Sequence, residues 1–455
     1  MGIRIIQSDC PLTDPRVRAV CDVLRAGNMQ APTARAADID VPATVAVVIA
    51  DVEANGDQAV IDLTRQIEKV ELTPAELRVP AERIAEAHAA ADPALLELVR
   101  RVRDNVRDYQ EHILIQAPSP LKRGGRTLGV RYTPLDRVGV CVPGGGGSGA
   151  VLLSTMLMTI VPAQVAGVGQ IAVVSPPTTH GDVSPSILAI AAELGVEEIY
   201  RVSGTAGVAA LAIGTESIPA VNKIVGPGNA FVSEAKKQLF GRVGIDSIAG
   251  PSEVLIVADE TAQPAWLAAD LLAQAEHAPG SAVLVTSSAK LARAVAAAIE
   301  KQLPSLDRAE AIRPALENYS AVIVVPDIDA ACEVANDFAP EHLQVITEDD
   351  EAALAKIRNA GAAFLGPQTP VPLGDYYAGP SHVLPTGGTA KFFGPLSCND
   401  FLKATSVIRY DADALAEDAD DVSDFANREG LTAHAQSVEI RKAVSREQNE
   451  QGTDN

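Results

Sequence analysis

Residues Gly244–Gly280 read GIDSIAGPSEVLIVADETAQPAWLAADLLAQAEHAPG. A turn marked by glycine and proline opens the stretch. Val254–Ala258 is then a continuous aliphatic run between turn signals, the pattern of a strand buried on both faces of a parallel sheet. Pro264 falls where the first turn of a helix tolerates it. Ala265–Ala275 is apolar on nearly every face, as a buried helix is. At its far end Gln274 and His277 share one face, since successive residues turn by about 100°, while Glu276 points away. Two readings of that pair are open: a capped helix end with a hydrogen-bonded core histidine, or half of a metal site.

The same alternation continues on both sides. Downstream, strands are predicted at Ala282–Thr286, Ala321–Val325, Leu343–Thr347 and Ala362–Leu365, with helices at Lys290–Gln302, Asp329–Phe338 and Asp350–Ala360. Upstream, Val138–Val142, Ile171–Ser175, Glu198–Val202 and Lys223–Val225 read as strands, with helices at Leu152–Val165, Ser186–Leu194 and Val208–Ile213. This is an α/β fold: two similar, incomplete Rossmann-like parallel-sheet halves with helical N-terminal and C-terminal extensions. The expected division is an arm at 1–36, a first α/β domain from 37–137 plus 251–396 with a helical lead-in, a second at 138–250, and a tail domain at 397–455. The lead-in helices are Thr44–Gln66 and Pro80–His112, the latter with an apolar stripe through Leu95, Val99, Val102 and Val106.

Composition excludes several classes. A net charge of −22 over 455 residues argues against nucleic acid and anionic membranes as partners. No apolar run is long enough to span a bilayer, and MGIRIIQSDCPLTD has no basic-then-apolar leader layout. Five scattered cysteines with no C-x-x-C form neither a disulfide framework nor a zinc ribbon, so a reducing, cytoplasmic setting is expected.

Candidate chemistry gathers on few residues. Glu341 and His342, in DFAPEHLQV, set a carboxylate beside an imidazole, as a general acid–base pair requires. They lie at a helix-to-strand junction, the amino-terminal edge of a parallel sheet, where ligands usually do not bind; a solvated loop pair is the alternative. Asp375, in GDYY, offers an oxygen ligand, and His382 follows it. Glu429 and His434, in EGLTAH, lie in the tail and suit either the surface or delivery into a neighbouring subunit's site. Gly144, Gly146 and Gly149 satisfy G-x-G-x-x-G only because the run is glycine-rich, and the next strand ends in Ser-Pro-Pro without an acid for a ribose. GPGNA at 226–230 is a second turn that lets backbone approach a ligand closely.

The ordered set GPGNAFVSEAK, AGPSEVLIVAD, DLLAQAEH, FAPEHL, GDYYAGPSHVLPTGGTA and the terminal E-x-x-x-x-H resembles the histidinol dehydrogenase family from about Asp136 to Ile440. The resemblance implies NAD-dependent, four-electron oxidation of L-histidinol to L-histidine through the aldehyde, in a homodimer with one zinc per subunit. It places the zinc ligands on Gln274, His277, Asp375 and His434, and the acid–base pair on Glu341 and His342. Substrate contacts fall on Ser252, Gln274, His277, His342, Asp375, Glu429 and His434, with Glu429 and His434 supplied across the subunit interface. The cofactor side falls on Asn229, Cys141 and Ala206. Cys141 stands where the family has tyrosine, Ala206 where it has glutamine, and the glycine segment that follows Cys141 is longer. The alternatives are a related zinc and NAD enzyme acting on another small alcohol such as sulfopropanediol, or a member that has kept only metal or ligand binding.

Overall fold

The computed structural model describes residues 2–25, 39–144, 151–178, 180–202, 204–277 and 280–451. In chain order the strands are β1 (Arg4–Gln7), β2 (Leu121–Arg123), β3 (Arg126–Pro134), β4 (Arg137–Cys141), β5 (Gln170–Ser175), β6 (Glu198–Arg201), β7 (Lys223–Val225), β8 (Gly244–Ile245), β9 (Ser252–Ala258), β10 (Gly280–Thr286), β11 (Ala321–Val324), β12 (His342–Ile346), β13 (Ala362–Leu365) and β14 (Leu402–Tyr410). The chain forms two compact units, Met1–Ile113 with Leu135–Phe401, and Leu114–Pro134 with Leu402–Asn455.

The first unit holds two parallel sheets on one plan. Their orders are β6-β5-β4-β7-β8 and β1-β11-β10-β9-β12-β13. In each, the first strand of the series is central, the next two step outward on one side, and the fourth and fifth lie on the other. A switch point therefore falls between β4 and β7, and again between β9 and β12. The aliphatic runs explain why these strands are internal. Val254 to Ala258 are all buried, as are Val138 and Val140, because helices cover both faces. Helix Leu153–Ala166 is apolar all round and buries ten of its residues, ending at Gly167 in the left-handed region. Helix Pro264–Ala275 begins on its proline and buries Leu267, Ala268, Leu271 and Leu272 against β9 and β10.

Two parts depart from the sequence expectation. Residues 4–7, read as part of an arm, form β1 and pair in parallel with β11, while helix Pro15–Arg25 buries Val17, Val20, Cys21 and Leu24. A strand of four residues shows too little alternation to be read as one. The second unit contains a three-stranded antiparallel sheet, β14-β3-β2, and helices Ala412–Arg428 and Thr432–Gln451. β14 exposes all but its first residue, so no buried face marked it in the sequence. Gly146 and Gly149 of the glycine-rich run, and Ala278, to which the helix from Ala265 was expected to reach, lie outside the described residues.

Candidate active site

The register of the larger sheet sets three strand starts side by side. Ser252 of β9 pairs with Gly280 of β10, and Val254 pairs with His342 of β12. Glu341 thus lies level with Glu253, at the amino-terminal edge of the sheet. Helix Pro264–Ala275 ends above this edge. A Cβ at Gly280 would come within 2.3 Å of the Gln274 carbonyl oxygen, so only glycine allows the helix end and strand start to meet this closely.

A chain of short hydrogen bonds joins these residues. The buried Gln274 donates from Nε2 to Ser252 Oγ at 2.7 Å, and Ser252 Oγ donates to Glu341 Oε2 at 2.6 Å. The Glu253 backbone N–H donates to the same carboxylate oxygen at 3.1 Å. His342 Nδ1 faces the Glu253 carbonyl at 3.2 Å; since a carbonyl only accepts, Nδ1 carries the proton. Nε2 is therefore the basic nitrogen of the neutral ring. It is buried without a hydrogen-bond partner and lies 3.5 Å from Asp375 Oδ1.

The site's charges are strongly coupled. Burial raises the Glu341 pKa, against the opposing pull of His342 and the Ser252 hydrogen bond. Burial alone would lower His342, but the charges of Glu341 and Asp375 outweigh it and push the imidazole up to about 9. Asp375 is held below the usual carboxylate range, because the histidines at 342, 382 and 277 outweigh its burial. Burial lowers His382. Gln274, His277, Asp375, Glu341, His342 and Ser252 thus meet in one neighbourhood, with His277 exposed at the helix end. Glu429 and His434 belong to the second unit, where both are exposed: Glu429 ends helix Ala412–Arg428 and His434 opens the last helix. Glu253 was missed by sequence reasoning, although an acid inside an aliphatic strand was the available signal.

Among the described residues no three His, Cys, Asp or Glu side chains are grouped to hold a metal by themselves. The donor set nevertheless fits zinc in kind. Gln274 commits its amide nitrogen to Ser252 and has its oxygen to offer. An imidazole and a low-pKa carboxylate complete a mixed nitrogen and oxygen shell that needs another donor.

A separate cavity of about 860 Å³ opens at the carboxyl ends of β4, β5, β6 and β7, over the switch point where such sheets bind nucleotides. Cys141, Gly144, Gly228, Asn229 and Phe231 line it, and helix Val41–Glu68 walls one side. Burial pushes the Cys141 thiol up to about 12, so it acts as an apolar wall. Asn229 lines the cavity and caps helix Ala230–Leu239. Ala206 is fully buried, and its neighbour Thr205 takes the place on the wall. The turn before Asn229 is locked from below. Gly226 has φ +108°, its N–H donates to Asp246, and its carbonyl accepts from the buried Lys236 at 2.7 Å.

Fold and site together define a class: an α/β protein with twin Rossmann-like halves, one opening a nucleotide-sized crevice and the other carrying a buried, adjacent Glu–His pair. The family model described as histidinol dehydrogenase matches residues 31–442. A histidinol dehydrogenase of Rhodopirellula baltica is 51% identical over 397 residues, 87% of this chain and 86% of that protein. One from Bacillus subtilis is 46% identical over 400 residues, 88% of this chain and 92% of that protein. The crystal structure of histidinol dehydrogenase from Elizabethkingia anophelis superposes with a TM-score of 0.87 at 31% identity, covering 96% of this chain and 98% of that one. The chain belongs to the histidinol dehydrogenase family.

Proposed function

We infer that this chain oxidises L-histidinol to L-histidine through the aldehyde, as an NAD-dependent histidinol dehydrogenase. The observation that carries the reading is the geometry of the pair: Glu341 held by Ser252 and the Glu253 N–H, beside an imidazole whose basic Nε2 is buried and stands 3.5 Å from Asp375 Oδ1. His342 takes the alcohol proton in the first oxidation when its ring is neutral, a form that a pKa of about 9 favours on the alkaline side. Glu341 draws a proton from the water that adds to the aldehyde, and burial, which raises its pKa, makes its carboxylate a stronger base. Burial of both groups keeps other water from the aldehyde between steps.

Gln274, His277 and Asp375 would hold zinc, with His434 of a partner subunit as the fourth ligand, and the cavity lined by Cys141 and Asn229 would hold NAD. When bound, zinc supplies a Lewis acid that orients the amine and imidazole of the substrate, and NAD supplies the hydride acceptor. The working form is a homodimer in the cytoplasm, with Glu429 also reaching the partner's substrate. Among the described residues no helix is long and apolar enough to cross a membrane.

The test is NAD reduction with L-histidinol and, separately, with sulfopropanediol. The reading expects turnover of histidinol. Turnover of the sulfonate alone would transfer the chain to the related alcohol.

A further inference from the structure

Glu253 takes no part in either proton transfer, yet it is only 2% exposed at the heart of the site. Its Oε1 accepts from the Glu341 N–H at 3.2 Å and from the Gly387 N–H at 2.9 Å. Its own N–H donates to Glu341 Oε2 at 3.1 Å, so the two residues hold each other reciprocally. Its carbonyl takes the proton of His342 Nδ1 at 3.2 Å. Both members of the acid–base pair therefore hang on this one residue. Its other carboxyl oxygen is buried without a hydrogen-bond partner, and among the described residues no Lys or Arg pairs with it. A carboxylate buried without a paired cation is costly, by several kcal/mol when charged. Burial and the Glu341 charge accordingly push its pKa up to about 8. An apolar residue would fill β9 without that cost, as the Val-Leu-Ile run after it does.

We propose that Glu253 is a positioning residue: its side chain ties the Glu341 backbone to the Gly387 turn and so fixes where the Glu341 carboxylate and the His342 ring stand. The assay rests on the proposed function; the geometry does not. Glutamine keeps an Oε1 acceptor for both N–H groups and replaces only the unpartnered oxygen. Aspartate withdraws the acceptor by about 1.5 Å.

The experiment compares full-length E253Q, E253D and E253A with the wild type, each normalised to folded protein by its thermal melt. E253Q is expected to keep kcat within threefold. E253D and E253A are expected to lose about 100-fold in kcat, as displaced catalytic groups do, with KM for histidinol within threefold. A purely structural role would lower the melting temperature and leave kcat per folded site unchanged. Either E253D or E253A keeping kcat within threefold, or E253Q falling as far as E253D, overturns the proposal. Should E253A not fold, E253Q and E253D decide. Should the wild type not oxidise histidinol, the functional reading fails by itself. Crystal structures then decide: a Glu341 carboxylate moved by about 1 Å in E253D supports the proposal, and superposable sites overturn it.

Discussion

At the level of single residues, Glu341 and His342 are adjacent in sequence, and the roles proposed for them differ because their partners differ. The Glu341 carboxylate accepts from Ser252 and the Glu253 N–H, which orients it. The His342 ring is fixed through Nδ1, leaving Nε2 to act. In the proposed mechanism Glu341→Gln removes the group that activates water and leaves the alcohol base in place. The second oxidation should slow by about 10²–10⁴-fold and the first by far less, read by stopped-flow with histidinol and the aldehyde offered separately. Equal losses in both would assign Glu341 another role. The pair stands out in FAPEHL. Ser252 and Gln274 came to the site only through the family resemblance, and Glu253 was not named at all, because these residues reach the pair only through the register of β9 against β10 and β12.

Secondary-structure elements explain why the site lies where α/β sheets rarely bind ligands. The Glu341–His342 pair lies at the amino end of β12, beside the start of β9, while the nucleotide-sized crevice occupies the carboxyl ends of β4 and β7, in a sheet of the same order. The internal strands were legible because their aliphatic runs lie between turn signals. β1, β2, β3 and β14 were not: β1 is too short, and β2, β3 and β14 have no deeply buried face. Elements outside the sheets are joined by polar contacts that sequence spacing does not show. Glu193, at the end of helix Pro185–Glu193, accepts from Arg100 at 2.5 and 3.0 Å and pairs with His88 at 2.6 Å, tying together three helices. The Arg100 hydrogen bond lowers its pKa to about 2, against burial and with help from His88. A carboxyl whose folded pKa is depressed stabilises the fold above its unfolded value, and that contribution is lost as pH falls through the folded value. Denaturation midpoints should therefore show an acid-side loss from about pH 4.5 toward about pH 2 that Glu193→Gln weakens. An identical acid limb in the variant would remove Glu193 from the account.

Considered as a whole, the molecule divides the proposed chemistry between its parts. The first unit carries the proposed acid–base pair, the three proposed metal donors and the crevice proposed for NAD, while Glu429 and His434 stand exposed in the second. Exposure at these two positions is what residues given to a partner require. His434→Ala should release zinc from the proposed dimer while leaving the fold intact, measured by metal analysis beside circular dichroism. Full metal retention would move the fourth ligand elsewhere. The sequence placed these residues by family resemblance, since their separation along the chain hides any spatial relation. The most direct measurement is the number of NADH formed per molecule of limiting L-histidinol at completion. The account predicts two, with L-histidine as the product; one NADH with aldehyde released, or none, contradicts it.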